Sequence, residues 1–277
     1  MKSATSFPTL NCLKFEFRKL LGRRLPVIIF VCVVVSIFGS LWLENNGLEP
    51  SQSYALFAAL LQRSMPLASF LVMIMATLCL NEEVAAGSLR AVLLRPVSKT
   101  NLLSAKLILN MSFAFFLGIT VLGISWLTVE MTSEFSAIMI EISGLEPRVV
   151  FTNAAMQAIC WKLGAAMLAP LLASAAFGTL ISVLIESEGT AVAIGTFLFL
   201  AMQAAGPISQ DLAPYLFPTY LELPIALLAE LAGQDQSRQG IVDSWGPLSA
   251  GYTAPLGMAL LFSIIGLLVF EKKDVAC

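Results

Sequence analysis

The residues best suited to acid–base chemistry are two pairs of neighbouring carboxylates, Glu82/Glu83 and Glu186/Glu188. Both pairs fall at the ends of apolar runs, beside water, where solvated charge is their expected role, so no catalytic residue is assigned. The chain has no histidine, which excludes Ser-His-Asp and Cys-His nucleophile systems, histidine general bases and histidine metal sites. Cys12, Cys32, Cys79, Cys160 and Cys277 have no C-x-x-C spacing and mostly lie in or beside apolar runs. They read as small buried hydrophobes rather than a disulfide or zinc framework. No G-x-x-x-x-G-K-[ST] occurs, and nothing in the chain can cradle nucleotide phosphates in that manner.

The most structured pattern runs from Asn81 to Lys106. Leu89, Val92, Leu93 and Pro96 follow helical spacing, with Arg90, Arg95, Lys99 and Lys106 around them, as in a short amphipathic helix. Pro96 should stop that helix near Arg95, and Ser98 can cap the next one. A helix-turn of this kind between two membrane spans works as a lever, since force on it reaches both spans.

The elements that hold this lever follow from composition. The 277 residues are 58% hydrophobic and 12% charged, with a mean hydropathy of +0.86, against about 25% charged in an ordinary soluble domain. A bilayer core of about 30 Å needs roughly 20 apolar residues of helix. Uncharged runs near that length occur six times, at 25–43, 64–80, 107–129, 163–185, 190–208 and 251–270. The second has Pro66 in its first turn, where a missing N–H is tolerated. The expectation is an all-α polytopic membrane protein, one domain over 1–277, with six transmembrane helices and no charged side chain within a span.

Six crossings put both termini on one side. That side holds twelve of the sixteen basic residues, from Lys2 and the Lys14–Arg24 cluster to Lys272 and Lys273. The other side holds Arg63, Arg148, Lys162 and Arg238 against eleven acids, so both termini are expected in the cytoplasm. Trp42, Trp126, Trp161 and Trp245 fall at or near the outer span ends, where indoles favour the interface. The first run is too long for a signal-peptide core and lacks an A-x-A-like site, so it reads as a retained span. Over 1–24, Leu10, Leu13, Phe17, Leu20 and Leu21 recur at helical spacing opposite Lys14, Arg18, Lys19, Arg23 and Arg24, the pattern of an amphipathic interfacial helix. A basic tail obeying the orientation rule is the plainer reading of the same charges. The acidic stretch 130–162 and the 42-residue connection 209–250 face outward, the latter as a surface helix or a passive connector. In the fourth span, Ala169/Ala173 and Ser174/Gly178 form small-x-x-x-small pairs, a packing face within the chain or between two copies.

With these residues in place, the chain resembles the membrane-spanning permease subunit of ATP-binding-cassette exporters of the type-2 family. The resemblance rests on Glu83, Gly87-Ser88-Leu89, Leu93-Leu94, Arg95-Pro96-Val97-Ser98-Lys99 and Lys106, and on the ending Phe270-Glu271-Lys272-Lys273-Asp274-Val275. It extends through six spans, an N-terminal amphipathic helix and a long last outer loop. It implies that 81–106 is a cytoplasmic coupling helix docking on a separate ATPase. Glu83, Arg90, Arg95 and Lys99 would then be polar contacts, Gly87 the point of close approach, and Leu89, Leu93 and Pro96 the apolar ridge.

The resemblance further implies two ATPase subunits that bind ATP and Mg, a second permease copy or homologue, and outward transport across the plasma (inner) membrane. No cofactor on this chain and no nucleic-acid partner are expected, and membrane lipid surrounds it. Two other classes stay open: a membrane anchor or scaffold using the same segment without transport, and an autonomous channel or secondary carrier. The absence of charge in the spans weighs against proton coupling. Asn110 and Gln203 read as helix-to-helix hydrogen-bonding groups. The spans offer no charged substrate site, which points only loosely to apolar cargo.

Overall fold

Apolar runs that cannot satisfy their backbone in lipid must become helices, and they do so in the computed structural model, which describes residues 8–44, 53–85, 98–133, 135, 138–140, 148–209, 211–222, 224–225 and 248–273. The helices are α1 (Pro8–Gly22), α2 (Leu25–Glu44), α3 (Ser53–Ala85), α4 (Lys99–Thr132), α5 (Asn153–Leu184), α6 (Glu188–Ile208) and α7 (Leu248–Lys272). Six of them, α2 to α7, are long and apolar enough to cross a membrane. Two short strands, β1 (Ile138–Ile140) and β2 (Arg148–Phe151), pair antiparallel between α4 and α5, a small departure from the all-helical expectation.

The helices are longer than the uncharged runs. The expected spans 64–80 and 107–129 sit inside helices of 33 and 34 residues, and 163–185 runs one residue past the end of a helix of 32. At 1.5 Å per residue each is about 50 Å long, well beyond a hydrocarbon core of about 30 Å. Pro66 is therefore inside α3 rather than in its first turn. A search for charge-free runs stops at the first charged residue, whereas the backbone hydrogen-bond ladder does not. Ser98 caps α4 as expected: its Oγ accepts from the Asn101 N–H at 3.2 Å.

α3 and α5 form the centre of the bundle. Their apolar windows are 67% and 83% buried, whereas those of α2, α6 and α7 are each 22% buried and present most of their surface outward. The small residues of α5 make this possible, and they face α3 of the same chain. Ala173 is fully buried, Ser174 Oγ meets Ser69 Oγ at 2.5 Å, and a Cβ on Gly178 would lie 2.4 Å from the Met73 carbonyl oxygen. The packing face is thus internal. Gly178→Ala should force the two backbones apart, because the obstacle is main chain and cannot rotate away. The expected loss is about 1–3 kcal/mol, read as a lowered thermal midpoint in detergent. Gly123→Ala, with nothing within 4 Å of the new Cβ, should not lower the midpoint, since alanine is the better helix former.

Two of the Trp-bearing ends meet. Trp126 of α4 stacks on Phe135 at 4.4 Å and lies 5.3 Å from Trp161 of α5, with Phe57 of α3 edge-on at 5.5 Å. Trp42 is exposed near the end of α2, and Trp245 lies outside the described residues. The connection after α6 is neither a surface helix nor a passive strand of loop at its start. Two 3₁₀ turns, Ala213–Tyr215 and Phe217–Leu221, fold back into the bundle, and the second is wholly buried. The Phe217 ring centroid lies 5.7–6.0 Å from those of Phe177, Phe199 and Phe262. Non-helical backbone is tolerated at this depth because protein surrounds it, and the turn supplies its own bonds: Tyr220 donates to the Pro214 carbonyl at 2.9 Å and Thr219 to that of Ala213 at 2.9 Å. Burial pushes the Tyr220 phenol above its ordinary value, so it stays a donor.

Candidate functional site

At the bundle end opposite the tryptophans, α1 lies across α4, the end of α3 meets the start of α4, and α5 and α7 finish beside them. Helical spacing brings polar side chains together here. Cys79 and Glu83 are four apart on α3, Lys106 and Asn110 four apart on α4, and Glu16 and Lys19 three apart on α1, with Arg23 just past its end.

Lys106 Nζ is the hub. It donates to Glu83 Oε1 at 2.7 Å, to Glu16 Oε2 at 3.0 Å and to the Cys79 carbonyl at 3.2 Å. Lys19 also pairs with Glu83, and Arg23 with Glu82 at 2.8 Å. The side chains of Lys106 and Glu83 are each 2% exposed and that of Glu16 is 5% exposed. Burying such charges is tolerable only when they are paired and bonded; two ammonium groups here meet two carboxylates. Beside them Asn110 Nδ2 donates to Cys79 Sγ at 3.3 Å and to Thr179 Oγ1 at 3.2 Å, joining α3, α4 and α5 as the sequence reading of Asn110 anticipates. On α1, burial and then the Glu16 carboxylate push the Cys12 thiol above its ordinary value, which keeps it neutral next to the cluster.

A second set of bonds ties the C-terminal end of α7 to the same place. Lys99 Nζ donates to the Lys273 carbonyl at 2.8 Å, Lys273 Nζ donates to the Val183 carbonyl at 2.9 Å and pairs with Glu186 at 3.2 Å, and Phe270 is buried among Leu80, Leu102, Leu103 and Val183. The segment 86–97 thus springs from two roots, α3 and α4, that are locked to α1 and to α7.

Of the residues expected to meet a partner, Gly87, Leu89, Arg90, Leu93, Arg95 and Pro96 lie outside the described residues. Lys99 is partly exposed at the root of α4. Glu83 departs from the expectation of a solvated, partner-facing acid: α1 covers it, and its carboxylate is engaged by Lys19 and Lys106 within the chain. Glu186 and Glu188 are exposed, in keeping with solvated charge. The cationic face assigned to α1 is likewise divided, since Lys19 and Arg23 turn to carboxylates while Lys14, Arg18 and Arg24 stay exposed. Glu16 escaped the sequence reading altogether, although it is the sole acid among the first 43 residues, a signal that it serves a specific cation.

Six apolar helices make this a multi-pass helical membrane protein. Residues 25–276 match the model of a family described as "Protein of unknown function (DUF2705)", and the chain belongs to that family. No curated protein matches it.

Proposed function

We propose that the chain is the membrane-spanning subunit of an ATP-binding-cassette transporter, and that the basic segment between α3 and α4 is where a separate ATPase takes hold. The observation that carries this reading is the Glu83–Lys106 pair at 2.7 Å. These two residues bracket the sequence pattern that resembles the exporter permeases, and their contact closes the base of the segment. A lever transmits force only if its root is stiff, and a buried, multiply bonded ion cluster joining three helices supplies that stiffness.

In this reading ATP-driven closure of two ATPase subunits pushes 86–97. The push passes through α3 and α4 to α1 and the central helix α5, shifting the bundle between two arrangements, alone or paired with a second permease. The distribution of basic residues supports a cytoplasmic location for this end in the plasma membrane, and the resemblance to exporter permeases supports outward transport. The charge cluster favours a latch over a proton relay, because it is charge-balanced and sits at the end of the bundle, beside a half-open cleft of only about 20 Å³.

Affinity purification of the full chain from its own membrane tests the proposal. A protein bearing a phosphate-cradling G-x-x-x-x-G-K-[ST] loop should accompany it in stoichiometric amount. Recovery of the chain without any ATPase under mild detergent would overturn it. If an ATPase is present but its turnover moves no solute or lipid in liposomes, the scaffold reading replaces transport.

A further inference from the structure

Between α1, α2 and α4 runs a groove of about 490 Å³. Leu13, Phe17 and Leu21 of α1 form one wall, Val27 of α2 another, and Phe113 and Phe116 of α4 the floor. Phe17, Leu21, Val27 and Phe116 are 50%, 69%, 61% and 66% exposed, so this apolar surface needs a cover that the described residues do not provide. Water is a poor occupant of so apolar a space. Two cations, Lys14 and Arg23, also line the groove. Arg23 is shared with Glu82, whereas Lys14 has no ion pair among the described residues.

The depth of the groove is informative. Phe116 lies ten residues along α4 from Lys106, about 15 Å toward the membrane centre, while Lys14 and Arg23 stand at the end where the charged residues gather. One end therefore suits an anion and the other a hydrocarbon chain. Exposed Arg18 on α1 and Arg24 in the bend just after it add to the positive field.

We propose that this groove holds one anionic glycerophospholipid from the leaflet on the α1 side, its phosphate at Lys14 and Arg23 and an acyl chain between α1, α2 and α4. The lipid completes the packing of α1 against the spans and so supports the helix that carries Glu16 and Lys19 into the charge cluster. The inference does not depend on an ATPase partner.

Native mass spectrometry of the delipidated full chain, titrated with phosphatidylglycerol and with phosphatidylcholine of the same acyl composition, tests it. One phosphatidylglycerol should bind per chain ahead of any other lipid, and more tightly than phosphatidylcholine. Lys14→Gln should weaken phosphatidylglycerol about fivefold, the effect of one basic residue at an anionic lipid surface, leave phosphatidylcholine unchanged, and be reversed by Lys14→Arg. Leu21→Trp, which narrows the groove, should weaken both lipids. Equal affinity for the two lipids in the unaltered protein, or full phosphatidylglycerol affinity in Lys14→Gln, would overturn the proposal. So would a second copy of the chain, or a neutral amphiphile, retained where the phospholipid should sit.

Discussion

Lys106→Met is expected to destabilise the protein by about 3–5 kcal/mol, the usual cost of removing one partner from a buried ion pair. The substitution leaves Glu83 and Glu16, both nearly inaccessible, with Lys19 as the remaining cation of the cluster. An uncompensated buried carboxylate then has to be hydrated or protonated, and either route opens the contact between α1, α3 and α4. Thermal unfolding of the purified chain should show a large drop in midpoint. Adding Glu16→Gln to Lys106→Met restores the balance of charge and should recover part of the loss, a coupling that a double-mutant cycle measures directly. Lys99→Met is the control, because Lys99 is partly exposed and bonds only a carbonyl among the contacts described. Equal stability of Lys99→Met and Lys106→Met would refute the cluster as the anchor of the segment.

The second large effect concerns binding. Arg95→Glu with Lys99→Glu should weaken association with the ATPase by about a hundredfold or more, since placing like charges across an interface costs several kcal/mol. The chain should still insert and fold, as Lys99 is partly exposed and takes no part in the buried cluster. Co-purification under matched detergent and salt is the measurement, with monodispersity of the variant as the check on folding. Unchanged recovery of the ATPase would refute the docking assignment for the segment. A loss seen only together with aggregation would instead point to Lys99's bond to the end of α7, and Arg95→Glu alone then separates the two effects.

Much of the architecture was legible because the bilayer imposes a length. Each expected span lies within a helix apart from Ile185, the cap one residue past the end of α5, and the cap at Ser98 and the grouping of Trp126 with Trp161 follow from local chemistry. The ends of the helices were not legible, since criteria for lipid-embedded segments exclude the charged residues that a protein-covered helix can carry. The charge cluster was hidden for a related reason. Glu16, Glu83 and Lys106 come from three helices, and nothing in a single sequence couples positions 67 and 23 residues apart. The inward turn at Phe217 was obscured by Pro214 and Pro218, which read as loop wherever they occur, whereas the burial of Phe217 depends on cavities left by α5, α6 and α7.

A photo-crosslinking residue in place of Leu93, activated in intact cells, probes the central claim most directly. Helical spacing in the sequence assigns Leu93 to the expected apolar ridge of the segment, and its adduct identifies what the segment touches. The account predicts a single major protein adduct carrying a nucleotide-binding G-x-x-x-x-G-K-[ST] loop. Its yield should fall when Lys106→Met loosens the root of the lever. Adducts confined to lipid, or a neighbour on the outer face of the membrane, would contradict it.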